Sequence, residues 1–519
     1  MSHDIWNIFS PRLKSNAPKT AWIRRQRDAQ SLSYTYGMVH QSALHMAARL
    51  REHGVSQGDV VSVIGPNGIE WGVAAFAAWR VGAILAPVHI GYSEEDIRTQ
   101  ITALSPKLIM AHEADSKLSG VDTPQIAIEI TSELSAAEEQ VASNNLSSEE
   151  AVRIYTSGST GSPKIVRLSH RNLSSNVIAC SKIVEIDHND RFLSLLPLSH
   201  TFEMVGGMLL PLYCGSSIAL PKVLTAQEVL AAMAEENVSV VLAVPRLYRN
   251  IKRGMEQKFH SGSFLLRGYV SLLGALPMSL RTRLNAPLRK KLSPNLRYWV
   301  SGGARLDPVI AQFFRDLGIS LRQGYGLTET SPVVCVQEAF PDNLDSVGYA
   351  IEGVTVKIDN PDELGSGEVL VKGDNVMLGY SDESATQEVM TDGWFRTGDL
   401  GRLDSSGNLS LTGRIKRTII TEGGKNVYPE ELESLLERYP DVKEAGIVEF
   451  DNRPCAVFAM ENPETGAARA KQILKDFNTK ASAHNHITRC AVVEDLPKTP
   501  LGKTALSKLP EVFESYEVR

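Results

Sequence analysis

Short, mostly apolar runs alternate with amphipathic stretches through the first third of the chain. Val60-Val61-Ser62-Val63-Ile64 and Ile84-Leu85-Ala86-Pro87-Val88 are five-residue runs without polar alternation, the pattern of strands buried on both faces. Residues 41–53 and 69–81 place apolar side chains at helical spacing, so helices are predicted there. Ser93, with Asp96 three residues on, predicts a capped helix start, and Leu108-Ile109-Met110-Ala111 returns to strand. The alternation resumes downstream, with a strand predicted over 192–196, a helix over 226–237 and a strand over 238–244. Such order predicts α/β layers with a largely parallel sheet. The polar, Ser/Glu/Ala-rich stretch 123–150 interrupts it and reads as a link between two subdomains. Near the C-terminus the order changes to helix 429–439, strands 445–450 and 456–460, helix 471–482 and strand 489–493. Pro429 in the first turn, followed by Glu430 and Glu431, suits a helix N-terminus. This is a small α+β unit of roughly 100 residues.

A chain of 519 residues is too long for one compact core, so two or more domains are expected. The composition, 43% apolar and 22% charged, is that of a soluble globular protein. A net charge of −6 supplies no global basic field, which argues against nucleic acid as a partner. Cys180, Cys214, Cys335, Cys455 and Cys490 are odd in number and far apart, which suits a reducing cytoplasm and offers neither a disulfide framework nor a zinc site. The N-terminus lacks a signal-peptide pattern, and no apolar run reaches the roughly 18–20 residues of a membrane span. A cytoplasmic protein is expected. One stretch departs from the average: residues 249–297 hold eleven Lys or Arg against the single acid Glu256, interleaved with Phe264-Leu265-Leu266 and Val270-Ser271-Leu272-Leu273. A basic amphipathic segment of this kind suits peripheral contact with an anionic membrane, and equally a solvated face of a large domain.

The densest chemistry lies in Tyr155-Thr156-Ser157-Gly158-Ser159-Thr160-Gly161-Ser162-Pro163-Lys164. Glycines let backbone N–H groups approach an anion, hydroxyls add hydrogen bonds, and the lysine adds charge, as a polyphosphate requires. A Ser/Gly surface linker is the competing reading. The loop is not a Walker A motif: Pro163 stands where that motif needs glycine, and Ile165 where it needs Ser or Thr.

Downstream come Tyr325-Gly326-Leu327-Thr328-Glu329-Thr330, then Gly393-Trp394-Phe395-Arg396-Thr397-Gly398-Asp399, then Gly413-Arg414-Ile415-Lys416-Arg417, and finally Pro497-Lys498-Thr499-Pro500-Leu501-Gly502-Lys503. In order, spacing and wording these motifs resemble the adenylate-forming superfamily of acyl-CoA synthetases, peptide-synthetase adenylation domains and beetle luciferases. The resemblance runs from about Ser33 to Lys503 and is nearest to fatty acyl-CoA ligases. It implies an α/β fold with a large multi-layer N-terminal domain of mixed sheets (1–413), a hinge at 414–416, and a small α+β C-terminal cap domain (417–519).

The resemblance also implies roles. Thr156, Ser157, Gly158, Ser159, Thr160, Gly161 and Lys164 would hold the β- and γ-phosphates of ATP, Thr328 the α-phosphate, and Glu329 a Mg²⁺ ion. Tyr325 would stack on adenine, Gly302, Gly303 and Ala304 would let base and acyl group approach the backbone, Asp399 would bind the ribose hydroxyls, and Arg414 the ribose or phosphate. Lys503 would bridge carboxylate and α-phosphate during adenylation, Lys416 would be the hinge, and Gly423-Gly424 would leave room for the pantetheine arm of CoA. His200, in Pro197-Leu198-Ser199-His200, matches a residue lining the acyl pocket, against the ordinary reading of a structural histidine. Two departures stand out. Ile165 replaces the glycine that most relatives place after the lysine, and an acyl acceptor other than a fused carrier domain is expected.

The implied activity is an ATP-dependent acid–thiol ligase forming acyl-AMP and then an acyl-CoA. Glycines at Gly206, Gly207 and 302–303 suggest an open channel for a medium- or long-chain fatty acid. The rival readings are an aryl-CoA ligase, a ligase charging an acyl carrier protein, and a catalytically silent nucleotide-binding scaffold.

Overall fold

A computed structural model describes residues 3–27, 29–112, 116–133, 149–156, 164–261, 276–363, 365–421, 425–498 and 504–518. Of the expected site residues, Ser157, Gly158, Ser159, Thr160, Gly161, Gly423, Gly424 and Lys503 lie outside them. The chain forms two compact units, Met1–Val356 with Val371–Phe395, and Lys357–Leu370 with Arg396–Arg519.

One sheet of the first unit runs Gly379–Tyr380, Lys164–Ser169, Glu150–Thr156, Ile84–Val88, Val60–Ile64, Leu108–Ala111, Gln125–Ala127. Its centre is parallel, with Val61 opposite Leu85 on one side and Leu108 on the other. Every position of Val60–Ile64 and of Ile84–Val88 is buried, as strands covered on both faces require. The helix Ile69–Val81 buries every residue but Arg80, consistent with a sequence that is apolar all round. Ser93 caps the helix Glu94–Leu104 through the amide of Asp96, as its spacing predicted. Toward Gly379–Tyr380 the pairing turns antiparallel. At the other edge, Gln125–Ala127 falls inside the stretch read as a linker. Only Ile126 of these three residues points inward, too short a signal for periodicity to register.

The other sheet of this unit has a parallel core of Leu321–Gly326, Tyr298–Ser301, Val240–Ala243, Arg191–Leu193, Ser217–Leu220 and Thr20–Arg24. Val333–Val336 and Ser346–Ala350 extend it antiparallel at one end, and Leu32–Thr35 at the other. Both sheets are thus mixed, as expected. The strand predicted over 192–196 is shorter, Arg191–Leu193. Beyond it, the Asn67 amide donates to Ser194 Oγ (2.8 Å) and to the Leu196 carbonyl (2.6 Å), so side chains take groups a ladder would have used. Phe202–Leu209 forms a π-helix, which apolar periodicity did not announce.

In the second unit, Leu409–Arg414 pairs antiparallel with Trp394–Leu403, placing Asp399 opposite Arg414. Farther along, Val442–Phe450 and Arg453–Met460 pair antiparallel and Cys490–Val493 adds in parallel. The helices Pro429–Leu436 and Pro463–Lys480 supply Leu432, Leu436, Ile473 and Phe477 to a core shared with Ile447 and Phe458. The second helix begins before the predicted residue 471; among the described side chains upstream, Gly466 and Ala470 are the buried ones, which leaves no apolar stripe to read. Arg417 is fixed in this core: its guanidinium binds both carboxylate oxygens of Glu433 (2.6 and 3.1 Å) and pairs with Glu430 at 3.0 Å. The amide of Ile447 donates to the same Glu433 (2.8 Å); against burial, which lowers it, the carboxylates of Glu433 and Glu430 raise the pKa of Arg417, while burial raises that of Glu433 against the pull of Arg417. All five cysteines are free. Among the described residues no helix is long and apolar enough to cross a membrane.

Candidate active site

The strands Glu150–Thr156 and Lys164–Ser169 form an antiparallel hairpin whose connecting residues belong to the expected phosphate loop. Thr156 stands opposite Lys164, and its hydroxyl donates to the Lys164 carbonyl (3.1 Å), which fixes both ends of the loop. Glu150 braces the base of the hairpin, binding Arg153 (2.7 Å) and Arg167 (3.1 Å). Ile165, the departure from the expected glycine, packs at the rim of the apolar cluster that holds Ile84 and Val88. Its carbonyl accepts from the Ser381 amide (2.9 Å).

Glu329 lies in the single turn Thr328–Thr330 after the strand Leu321–Gly326. A Cβ at Gly326 would fall 1.8 Å from the Pro332 carbonyl, so only glycine lets the turn fold back there. The Thr330 hydroxyl locks this fold by donating to Pro332 O (2.6 Å). Glu329 Oε1 accepts from the phenol of Tyr380 (2.8 Å), and the ammonium of Lys164 sits 4.5 Å from the centroid of the same ring. The sequence motifs of Lys164 and Glu329, far apart in the chain, therefore meet around Tyr380, a residue the motif reading missed. Tyr325 is buried in its strand. Gly303 takes φ +77° and is exposed, as is Ala304, next to the strand Tyr298–Ser301.

His200 precedes the π-helix, its carbonyl accepting from the Met204 amide (2.8 Å). The glycines expected to open a channel are mostly backed by side chains. A Cβ on Gly206 would meet Leu242 at 2.6 Å, on Gly207 the Glu203 carboxyl at 2.5 Å, and on Gly302 the Phe202 ring at 2.9 Å. Gly303 alone of the four is open, with Val244 Cγ1 at 3.7 Å. The small residues of the π-helix thus serve packing, and Gly303 remains the free approach.

Glu203 is fully buried. Its Oε1 accepts from Ser194 Oγ (2.6 Å), while Oε2 has no partner among the described residues. Burial pushes its pKa up to about 8, against the opposing pull of Ser194 and the backbone amides of Leu195 and Leu196. The folded protein therefore keeps a proton that the unfolded chain, with an ordinary carboxyl near 4.5, releases. Stability from this group is complete below pH 4.5 and is lost as pH rises to about 8. Calorimetric melting of Glu203→Gln at pH 5.5, 7 and 8.5 is expected to show a flatter decline than the parent chain. Parallel declines would mean that Glu203 does not hold its proton.

In the second unit, Arg414 Nε donates to Asp399 Oδ1 (3.0 Å) across the strand pair. Asp399 is buried while the Arg414 side chain is about half exposed (48%), so the carboxylate is held from one side by a guanidinium open to solvent. Thr397 receives the Asp399 amide (3.0 Å) and donates to Val369 O (2.7 Å). Lys416 is exposed in the turn Ile415–Arg417.

Magnesium binds oxygen ligands, usually one or two carboxylates completed by waters and substrate phosphates. Glu329, a carboxylate with Oε1 engaged by the Tyr380 phenol, fits that chemistry. Among the described residues there is no cluster of three or more acidic, His or Cys side chains for an all-protein cage.

The family of AMP-binding enzymes matches residues 12–381, well over half of the chain. The chain belongs to the AMP-binding enzyme family. This AMP-binding enzyme is 31% identical over 437 residues to the long-chain-fatty-acid–CoA ligase FadD15 of Mycobacterium bovis, covering 76% of this chain and 72% of that one. It is 29% identical over 444 residues to the feruloyl-CoA synthase of an Amycolatopsis species, covering 83% and 82%. The O-succinylbenzoate coenzyme A synthetase MenE of Bacillus subtilis, solved with ATP and a magnesium ion, shares the fold at TM-score 0.77 and 22% identity, over 97% of this chain and 99% of that one. The enzyme is an AMP-forming acyl-CoA synthetase.

Proposed function

We propose that this enzyme activates a medium- or long-chain fatty acid with Mg²⁺ and ATP and transfers the acyl group to CoA. The observation that carries the nucleotide half is the convergence of Lys164 and Glu329 on Tyr380 beside the Thr156–Lys164 hairpin. A carboxylate oxygen attacks the α-phosphorus, pyrophosphate leaves, and the resulting acyl-AMP is cleaved by the CoA thiol with release of AMP. The first step requires positioning and charge neutralisation more than covalent help. Thr156, Ser157, Gly158, Ser159, Thr160, Gly161 and Lys164 hold the β- and γ-phosphates, and Thr328 the α-phosphate. Glu329 holds magnesium, which neutralises phosphate charge when bound. Tyr325, Gly303 and Ala304 receive adenine, Asp399 and Arg414 the ribose, and His200 borders the acid.

The domain reading is a 1–413 adenylation domain, a 414–416 hinge with Lys416 as pivot, and a 417–519 cap bearing Lys503 and the pantetheine-facing Gly423 and Gly424. The clamp of Arg417 into the core of the second unit supports a pivot before residue 417. Exposed Arg283, Lys290 and Lys291 beside exposed Leu280 and Leu284 support peripheral contact with an anionic membrane, where such an acid partitions.

FadD15 supports the aliphatic acid, while the feruloyl-CoA synthase keeps an aryl acid as the second reading. The test is kcat/KM for straight-chain acids of increasing length, against benzoate and ferulate, with CoA or a carrier protein as acceptor. Each added methylene that is buried is expected to raise kcat/KM by up to roughly fourfold until the pocket ends. A flat profile with an aryl acid preferred would overturn the fatty-acid assignment and leave adenylation standing.

A further inference from the structure

Tyr380 ends a segment, residues 374–380, stitched to both motif-bearing elements. The Asn172 amide donates to Asp374 O (2.8 Å) and Val376 O (2.7 Å), and the Asn375 amide to Thr330 O (3.1 Å) and Val333 O (3.2 Å). The Met377 amide donates to the carbonyl of Glu329 itself (2.8 Å), and the Leu378 amide to Arg167 O (2.9 Å), on the strand that begins at Lys164. Gly379 takes φ +139°, and a Cβ there would meet Thr386 Oγ1 at 2.9 Å. That hydroxyl accepts from the Tyr380 amide (2.8 Å), so the glycine lets it fix the tyrosine's backbone. Tyr380 is only 5% exposed, a rigid plate rather than a mobile side chain.

We propose that Tyr380 is a positioning residue for the nucleotide site: its phenol aims the Glu329 carboxylate, its ring face carries the Lys164 ammonium, and the ring keeps the two charges from pairing with each other. The inference rests on the assignment of Lys164 to phosphate and Glu329 to magnesium. Lys164 and Glu329 form no ion pair, although both lie against the same side chain. In a partly buried site a direct Lys–Glu pair would be favourable, and each charge would then be unavailable to the nucleotide until that pair broke. A ring face attracts the cation without neutralising it, and a phenol donor orients the carboxylate while leaving its charge for the metal.

Calorimetric titration of ATP, with and without magnesium, separates these roles in Tyr380→Phe, Tyr380→Leu and Glu329→Gln. Tyr380→Phe keeps the ring and loses the hydroxyl, so Mg·ATP is expected to bind about 10-fold more weakly, one lost charge-assisted hydrogen bond, with metal-free ATP unchanged. Tyr380→Leu also removes the ring and is expected to weaken metal-free ATP by about 3- to 10-fold. In pyrophosphate exchange, Tyr380→Phe should raise the apparent KM for Mg·ATP more than it lowers kcat. If Glu329→Gln weakens Mg·ATP but Tyr380→Phe binds it like the parent enzyme, the role of Tyr380 is overturned and the metal assignment stands. If Glu329→Gln itself binds Mg·ATP normally, the metal assignment fails and the inference with it. The phenylalanine variant is near-isosteric, so it decides the matter even where the leucine variant does not fold.

Discussion

Exchanging Lys503 for alanine is expected to lower acid-dependent pyrophosphate exchange by roughly 100- to 1,000-fold while sparing thioester formation from supplied acyl-AMP. The proposed role places its ammonium where negative charge gathers as the carboxylate meets the α-phosphate, a contact that matters only in that half-reaction. Lys503 itself lies outside the described residues, but the base of its loop does not. Lys498 bridges to Thr504, and the Ala505 amide donates to Pro497 O (2.8 Å), so the described residues on either side of the loop are held together. The neighbouring lysine, Lys498, is pinned by Glu444 and by the Thr504 hydroxyl (3.3 Å). Lys498→Ala is therefore the control: it should cost stability and leave exchange near the parent rate. Equal damage to both half-reactions in Lys503→Ala would remove the assignment.

Lys416→Pro is expected to have the opposite signature, with acyl-AMP still formed and thioester formation reduced by about 100-fold, the factor by which a pivot locked 99:1 depletes its other state. Proline fixes φ and removes an N–H, so it obstructs rotation at its own position. Lys416 is exposed and lies in a short turn, so the substitution removes no buried side chain. Single-turnover measurement of acyl-AMP formation, followed by a CoA chase, resolves the two steps. A variant that transfers to CoA at the parent rate would move the pivot elsewhere.

The buried strands Val60–Ile64 and Ile84–Val88 were legible because burial on both faces leaves an unbroken apolar run. The hairpin of Glu150–Thr156 and Lys164–Ser169 could be anticipated around the loop because the residues proposed to meet phosphate are contiguous in the chain. Tyr380 could not, since what marks it is two contacts, with Lys164 and Glu329, made across long stretches of sequence. Its only local trace is Gly379 before it, a glycine that reads as an ordinary strand end. The early start of Pro463–Lys480 escaped because its first turns bury small residues that give no apolar stripe. The glycines at 206 and 207 misled for a related reason. A missing side chain means free space only if no neighbour fills it, and Leu242 and Glu203 fill it here.

The clamp between Arg417 and Glu433 bears on how this enzyme could be recombined with others. A chimera that joins a foreign C-terminal segment before residue 417 carries guanidinium and carboxylate across together. A junction placed a few residues later separates them and strands Glu433, whose remaining donor, the Ile447 amide, cannot balance a buried carboxylate. Breaking such a pair costs about 3–5 kcal/mol, a large share of the stability of a small domain. On the proposed domain reading the exchangeable module would begin at Arg417, one residue after the pivot, and a graft that respects this border keeps the guanidinium and its carboxylate together.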